Sequence, residues 1–144
     1  MTNIGVTEHG TNGYIENKKQ IKKMRKKRVL IIDDDARNIF ALSATLRAGA
    51  YECLTCPSAQ EALKILEGDE EIDAVLIDMM MPDMDGYEAI PHIKKIDKRK
   101  NTPIFSVTAQ AMVGDREKCL QAGATDYVSK PIDVDKLLWL LSRV

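Results

Sequence analysis

The chain has 144 residues, of which 44% are hydrophobic and 30% charged, and its formal net charge is -1 at pH 7. This length and apolar content suit one domain with a buried core and leave no room for a second domain of ordinary size. No apolar stretch approaches the roughly 20 residues needed to cross a bilayer, and no hydrophobic run follows the basic cluster near the amino terminus, as a secretory signal requires. We therefore expect a cytoplasmic protein without membrane insertion.

Charge divides the sequence into a basic start and an acidic remainder. Residues 1–28 contain eight Lys or Arg against two Glu, a net charge of +6, which leaves -7 for residues 29–144. Residues 1–27 are also poor in apolar side chains, and we interpret them as a flexible basic lead-in or linker before a domain at 28–144. Such a segment could bind nucleic acid or anionic lipid, but a solvated linker is the simpler interpretation. We expect no nucleic-acid binding by the folded domain.

From residue 28 onward, short apolar runs alternate with segments of helical periodicity. The runs predict strands at 28–33, 51–56, 73–78, 103–108 and 125–129, each followed by a helix candidate. The helix candidates lie near 35–49, after residue 58, near 87–96, near 113–122 and from residue 134. This alternation implies a parallel sheet covered by helices on both faces, because parallel neighbours need crossover connections. The pattern predicts a flavodoxin-like, doubly wound α/β fold with strand order 2-1-3-4-5 and five helices.

Local signals mark the ends of several predicted helices. Asp35 is placed to cap the free N–H groups of the first helix, and Gly49 would permit a left-handed turn at its end. Ser58, followed three residues later by Glu61, has the spacing of a capping box for the second helix. Gly123 is expected to end the fourth helix.

The last predicted helix carries an apolar stripe with helical spacing. Its members are Val134, Leu137, Leu138 and Leu141. Trp139 and Leu140 lie off this stripe. Two interpretations of that pair remain open: an interaction surface, or side chains that cover the end of the helix.

The three cysteines are an odd number in a chain without an export signal, which indicates reduced thiols. Cys53 and Cys56 form a C-x-x-C pattern, but in a strand their side chains point to opposite faces of the sheet. We therefore expect ordinary packing at these positions, and neither a disulfide nor a zinc site.

Polar side chains stand at the carboxyl ends of four predicted strands. Asp33 and Asp34 follow the first strand, Asp78 ends the third, Thr108 ends the fourth and Lys130 follows the fifth. In the predicted strand order these ends share one edge of the sheet, which is where open α/β sheets bind ligands. Three carboxylates, a hydroxyl and an ammonium group would then lie in one pocket.

The carboxylates in this pocket would repel one another, and one would be forced to take up a proton unless a cation intervened. Oxygen ligands select Mg²⁺ over zinc, and Mg²⁺ commonly keeps several waters and accepts a substrate phosphate. A flavin or nucleotide site would instead place glycine and hydroxyl residues after the first strand. Asp83 and Asp85 are expected to shape the turn before Gly86, and not to bind the metal.

Four short segments occur in order along the chain. They are VLIIDDD at 29–35, DMMMPDMDG at 78–86, VTA at 107–109 and YVSKP at 127–131. Together they resemble the motifs of the response-regulator receiver domain, and the four in order are far more specific than any one alone. The resemblance covers about residues 28–143. The sequence around Met80 and residues 109–119 is most similar to the receivers of hybrid sensor histidine kinases.

The resemblance implies a role for each acidic residue of the pocket. Asp78 would be the phosphoacceptor, a nucleophile that takes the phosphoryl group from the phosphohistidine of a histidine kinase or histidine phosphotransfer domain. Asp34 would bind Mg²⁺ directly and Asp33 mainly through a coordinated water. The main-chain carbonyl of Met80 would complete the protein ligands.

The same resemblance implies how the domain switches. Thr108 and Lys130 would each hold a phosphoryl oxygen, and a cis peptide before Pro131 would direct the ammonium group toward Asp78. Phosphorylation would draw Thr108 toward the site, and Tyr127 would turn inward. The affected surface is the fourth helix, fifth strand and fifth helix, where a homodimer or an output partner could form.

Met80 departs from the polar side chains often found two residues past the phosphoacceptor in receivers. A thioether aligns a hydrolytic water poorly, although Gln110 could do so. The sequence therefore predicts a long-lived phosphoryl group.

Alternative functions remain open at this point. The chain could be a stand-alone single-domain response regulator instead of part of a hybrid kinase. A metal-dependent phosphatase with an aspartate nucleophile usually needs an acid where this chain has Met80. A receiver-like module that is never phosphorylated would lack one of the site residues, and none is missing. We expect no stand-alone enzyme, only Mg²⁺-dependent self-phosphorylation from a phosphodonor.

Overall fold

A five-stranded parallel sheet forms the centre of the computed structural model, which describes residues 25–109 and 113–144. Its strands are β1 (Arg28–Ile32), β2 (Glu52–Cys56), β3 (Ala74–Asp78), β4 (Ile104–Thr108) and β5 (Asp126–Ser129). They lie in the order β2-β1-β3-β4-β5, and all four neighbouring pairs are parallel. The predicted α/β fold and strand order are confirmed.

Five helices cover the two faces of this sheet. They are α1 (Ala36–Ala48), α2 (Ala59–Glu67), α3 (Gly86–Lys94), α4 (Asp115–Ala122) and α5 (Val134–Ser142), with a 3-10 turn at Asp97–Arg99. Helices α2, α3 and α4 pack on one face and α1 and α5 on the other. Every residue of β3 and β4 is buried, because helices cover both faces of these strands. None of the helices in the described residues is long and apolar enough to cross a membrane.

Capping side chains begin these helices where the local sequence predicts them. The Asp35 carboxylate accepts a hydrogen bond from the first turn of α1. Ser58 Oγ accepts the N–H of Glu61 at 3.2 Å, as the predicted capping box requires, and the Glu61 carboxylate reaches back to accept the Ser58 hydroxyl at 3.3 Å. The Asp85 carboxylate caps α3 by accepting the N–H of Glu88 at 2.9 Å, so it shapes the turn as predicted.

The end of α1 differs from the prediction. Gly49 has φ -87° and donates to carbonyls of the last turn, so it continues the right-handed coil. Ala50 takes the left-handed conformation instead, with φ 70°. Gly123 at the end of α4 has φ 115°, as its position predicts.

The buried face of α5 also differs from the prediction. Leu140 is only 6% exposed and belongs to the core, so the prediction that it lies off the apolar stripe was wrong. Trp139 is 58% exposed, as predicted, whereas Val134 at the helix start is 40% exposed. The stripe that packs on the sheet includes Leu137, Leu140 and Leu141, with Val144 packed against it.

The chain is tied to the amino-terminal end of the sheet by Arg25. Its guanidinium contacts Asp73 at 3.0 Å and Glu71 at 3.2 Å, and Asp73 also accepts the N–H of Arg28 at 2.7 Å. Burial by itself would raise the pKa of Asp73, but the hydrogen bonds from Arg28 and Arg25 outweigh it, and the pKa is lowered. The contacts of Asp73 with Arg25 and Arg28 form a clasp at the end of the sheet opposite the predicted site.

The three cysteines are free thiols. Cys53 packs against the layer that contains α1 and α5, and Cys56 belongs to the opposite layer. Burial raises the pKa of the Cys56 thiol to about 11. The expected packing role of the C-x-x-C pair is confirmed.

Candidate functional site

Three carboxylates meet at the carboxyl ends of β1 and β3, which are neighbours in the sheet. Asp33, Asp34 and Asp78 each offer an oxygen, and these atoms all lie within 4.8 Å of one another. Asp33 is 2% exposed and Asp78 5% exposed, whereas Asp34 is exposed at the mouth. The strand order therefore brings together the acidic residues that the sequence predicts to meet.

The charge of this acidic cluster is only partly compensated. Burial raises the pKa of Asp33. A hydrogen bond from the Asp35 N–H opposes this effect, the charge of Asp78 adds to it, and Lys130 and the Asn38 side chain oppose it. Because the net shift is upward, these neighbours do not fully stabilise the ionised form of Asp33.

Lys130 follows β5, two strands away from the strand that ends in Asp78, and its side chain extends to the acidic cluster. Its Nζ lies 3.5 Å from Asp78 Oδ2, and its main-chain N–H donates to the Thr108 carbonyl at 2.8 Å. The peptide bond between Lys130 and Pro131 is cis. The ammonium group and the Asp78 carboxylate therefore face one another although β4 separates their strands.

Thr108 lies between these two groups in the strand order. It ends β4, is 7% exposed, and pairs in register with Ser129 of β5. On the other side of β4, Val107 pairs with Asp78. The hydroxyl-bearing residue therefore stands at the same edge of the sheet as the carboxylate and the ammonium group.

The loop after β3 is held close to the acidic cluster. The Met80 N–H donates to Asp78 Oδ1 at 3.0 Å, and the Met80 side chain is 69% exposed. The Gly86 N–H donates to the Met79 carbonyl at 3.2 Å. A Cβ on Gly86 would lie 2.9 Å from Met79 Cα and would overlap the Met79 sulfur, so only glycine permits this close approach.

The donor set of the cluster fits a hard divalent cation. All three side chains are carboxylates, two of them buried, and no nitrogen or sulfur ligand is among them. Oxygen-only sets of this kind suit Mg²⁺ better than zinc. A bound cation would also offset the burial and the like charge of Asp78, both of which raise the pKa of Asp33.

Two further residues named by the sequence lie outside the cluster. Tyr127 on β5 is half-buried and packs against the layer of α2, α3 and α4. The ammonium group of Lys136 lies 4.5 Å from the centroid of its ring. Gln110 lies outside the described residues.

Asn38 is a site neighbour that the sequence prediction missed. Its side chain lies close enough to the Asp33 carboxylate to lower the pKa of that group. It also lines a cavity of about 330 Å³ between α1 and the loop that carries Lys130. Its position in the first turn of α1 was a usable signal, because that turn starts at the end of β1.

Comparisons with known proteins agree with this geometry. The family model described as the response regulator receiver domain matches residues 29–142. The signal transduction histidine-protein kinase BarA of Escherichia coli K12 is 36% identical over 115 residues, which are 80% of this chain and 12% of BarA. This chain therefore spans only a small part of that relative.

Two solved structures bear on ligands and partners. The receiver domain of the sensor histidine kinase PA1611 of Pseudomonas aeruginosa PAO1 is 34% identical, with a TM-score of 0.75 over 82% of this chain and 96% of that one. That structure has a magnesium ion coordinated in its active site cleft. A co-crystal structure of the Saccharomyces cerevisiae phosphotransfer protein Ypd1 with the receiver domain of Ssk1 matches at 26% identity, with a TM-score of 0.71 over 78% of this chain and 84% of that one.

Proposed function

Because the chain belongs to the response regulator receiver domain family of two-component signalling, we propose that Asp78 accepts a phosphoryl group from a phosphohistidine donor. The observation that carries this assignment is the contact between Asp78 and Lys130 inside the acidic cluster. The Oδ1 atom of Asp78 already accepts the Met80 N–H. Oδ2, on the side of Lys130, is therefore the attacking atom.

The other two carboxylates are poorer candidates for the phosphoacceptor. Asp33 is buried and already accepts a hydrogen bond from the Asp35 N–H. Asp34 is exposed, and no ion pair to it is observed among the described residues. Asp78 alone combines burial with a facing ammonium group, which holds negative charge as it develops on the transferred group.

Mg²⁺ is the cofactor that we propose for this site. Asp33, Asp34 and Asp78, with the main-chain carbonyl of Met80, would hold it. When bound, the ion would neutralise charge on the phosphoryl oxygens. The chemistry of the carboxylate cluster supports this assignment, and the magnesium ion in the PA1611 receiver agrees with it.

The transfer itself needs little acid–base chemistry. An electron pair of Asp78 Oδ2 forms the new bond to phosphorus, the bond from phosphorus to the donor imidazole breaks, and its electron pair returns to the imidazole. Lys130 and Thr108 would each bind one oxygen of the group in flight, which aligns it and spreads its charge. A phosphatase would need a general acid near Asp78, and Met80 offers only an exposed thioether there.

The surface beside the site supports a protein as donor. The cavity between α1 and the Lys130 loop has mainly apolar walls, including Leu42 and Ile132, and it shares Lys130 with the site. Phe40 on α1 and Val134 at the start of α5 are exposed apolar side chains. We propose that a histidine kinase or histidine phosphotransfer domain docks here, as the pairing of Ypd1 with the Ssk1 receiver suggests.

The phosphorylated domain would act through its surface, not as a stand-alone enzyme. We propose that Thr108 and Tyr127 carry the change to a surface formed by α4, β5 and α5, where an output partner or a second copy binds. The 36% identity to BarA supports an origin in a hybrid histidine kinase, and a single-domain regulator is the alternative.

Incubation with acetyl phosphate and Mg²⁺, followed by intact mass measurement, tests the assignment. The wild-type protein should gain the mass of one phosphoryl group, and Asp78→Asn should gain none. Asp83→Asn is the matched control, because Asp83 is exposed and its φ of 68° is one that asparagine accepts. Phosphoryl uptake by the Asp78→Asn variant would refute the proposal.

A further inference from the structure

Helix α4 is the most weakly anchored of the five helices. Only one of its side chains, Cys119, is buried, whereas each of the other helices buries three or four residues. Its first turn follows Gly114, which has φ 92° and provides no side-chain cap. Elements with little buried surface shift at the lowest cost in free energy. Displacement of α4 is therefore the least costly helix movement in the domain.

Two cations hold β5 to the helices on either side. Arg116 of α4 lies 3.6 Å from Asp126, and Lys136 of α5 lies 4.5 Å from the centre of the Tyr127 ring. Strand β5 is at the edge of the sheet. Tyr127 packs in the layer of α4, whereas the buried face of α5 belongs to the opposite layer. Lys136 therefore reaches around the free edge of β5 to contact the aromatic ring.

We propose that Lys136 is a latch on Tyr127 that opposes switching. The proposal rests on the proposed function, in which Tyr127 changes position after Asp78 is phosphorylated. A cation over an aromatic face is attracted to the ring, so the contact stabilises the arrangement described here and is lost when the ring moves. When the ring moves, this contact must be broken. The contact with Lys136 therefore adds to the free energy that phosphorylation must supply to move the ring.

Three variants isolate the contribution of this cation. Lys136→Met keeps the length of the side chain and removes its charge, and Lys136→Arg keeps the charge. The cap of α5 uses the main-chain N–H of Lys136, so both variants retain it. Arg143→Met is the matched control, because it removes another cation of α5, which lies 5.0 Å from the Trp139 ring.

The first measurement uses protein labelled with 3-fluorotyrosine, without metal or phosphodonor. The fluorine NMR signal of Tyr127 is assigned by its loss in Tyr127→Phe. Lys136→Met should move or broaden this signal, whereas Lys136→Arg and Arg143→Met should leave it in place. An unchanged signal in Lys136→Met overturns the latch, and this result is independent of phosphorylation.

The second measurement is the affinity for beryllofluoride, a phosphoryl mimic, in the presence of Mg²⁺. Lys136→Met should bind it about twofold to fivefold more tightly than the wild type, the range expected for loss of an exposed cation–π contact. Lys136→Arg and Arg143→Met should match the wild type. Equal or weaker binding by Lys136→Met overturns the latch. Failure of the wild type itself to bind beryllofluoride would count against the proposed function, and the fluorine signal would still decide the latch.

Discussion

The ammonium group of Lys130 lies 3.5 Å from Asp78 Oδ2, although the two residues are 52 positions apart in the sequence. Among the described residues, this is the only ion pair observed to the three clustered carboxylates. One cation therefore faces three acids, two of which are buried. The site is short of positive charge before any ligand arrives, and this imbalance has measurable consequences.

Removing one acid should separate metal binding from stability. Asp34→Ala should abolish Mg²⁺ affinity, because Asp34 is the proposed direct ligand at the mouth of the cluster. The same change should leave the metal-free protein equally stable or up to about 1 kcal/mol more stable, because it relieves like-charge repulsion at a partly screened position. Calorimetric Mg²⁺ titration and urea unfolding with a chelator present measure the two effects. Asp83→Asn serves as the control, because it removes an exposed acid at a φ that asparagine accepts. A clear loss of metal-free stability in Asp34→Ala would contradict the interpretation.

A negative charge in the cavity between α1 and the Lys130 loop should slow phosphoryl transfer from a protein donor but not from acetyl phosphate. Val134 lines this cavity and is 40% exposed at the first position of α5, where an aspartate would interact favourably with the helix dipole. Val134→Asp should therefore fold normally, yet slow phosphoryl transfer from a phosphorylated histidine phosphotransfer protein by about tenfold, as expected for a docking contact. Its uptake from acetyl phosphate should be unchanged. Trp139→Gln is the control, because it alters an exposed residue of α5 that does not line the cavity. Equal slowing with both donors would argue against docking at the cavity.

The lifetime of the phosphoryl group should depend on Met80. Its thioether is 69% exposed beside Asp78 and offers no donor or strong acceptor to orient a water molecule. Met80→Asn supplies both groups and should shorten the lifetime severalfold. Release of inorganic phosphate from the phosphorylated protein, timed after the phosphodonor is removed, gives the rate. Met80→Leu should keep the wild-type lifetime, and an unchanged lifetime in Met80→Asn would refute the hypothesis.

The clasp at Asp73 predicts a pH dependence of stability. The pKa of Asp73 is lowered in the folded protein, so its ionised form stabilises the fold above the ordinary value of 3.8, and this contribution is lost as the pH falls through the folded pKa. Arg25→Met should remove part of the lowering of the Asp73 pKa. It should cost up to about 1 kcal/mol at neutral pH, since the pair is partly exposed, and nothing at acid pH, where Asp73 is protonated.

Urea unfolding of Arg25→Met and of the wild type, measured from neutral pH down to acid pH, tests this prediction. Arg37→Met is the matched control, because Arg37 is 94% exposed in its side chain and lies 3.8 Å from Asp35. That variant should follow the wild type at every pH. A loss in Arg25→Met that persists unchanged into acid would show that the charge of Asp73 is not involved.

Sequence signals within a few residues predicted most of the framework, and long-range packing accounts for what they missed. The capping roles of Asp35 and Ser58 depend on neighbours two or three positions away, so the local sequence suffices. The pairing of Arg25 with Asp73 spans 48 positions and has no local pattern. In α5, the residues contain two apolar stripes with equal helical spacing, and only contact with the sheet selects the stripe that contains Leu140.

The site was predictable for a related reason. Residues that end parallel strands share one edge of the sheet, so the strand order alone brings Asp33, Asp78 and Thr108 together. The contact of Asn38 with Asp33 depends on how α1 packs beside the sheet, and no strand-end rule reports it. Helix packing thus determines the neighbours of the cluster, while strand order determines its members.

The single buried side chain of α4 is a thiol, and this gives the domain a built-in reporter. Cys119 is 0% exposed beneath the helix, so an alkylating reagent can reach it only after α4 lifts from the sheet. Cys56 is buried in β2, away from that helix, and provides an internal reference in the same molecule. The ratio of modification at the two thiols would therefore record helix opening without any foreign label.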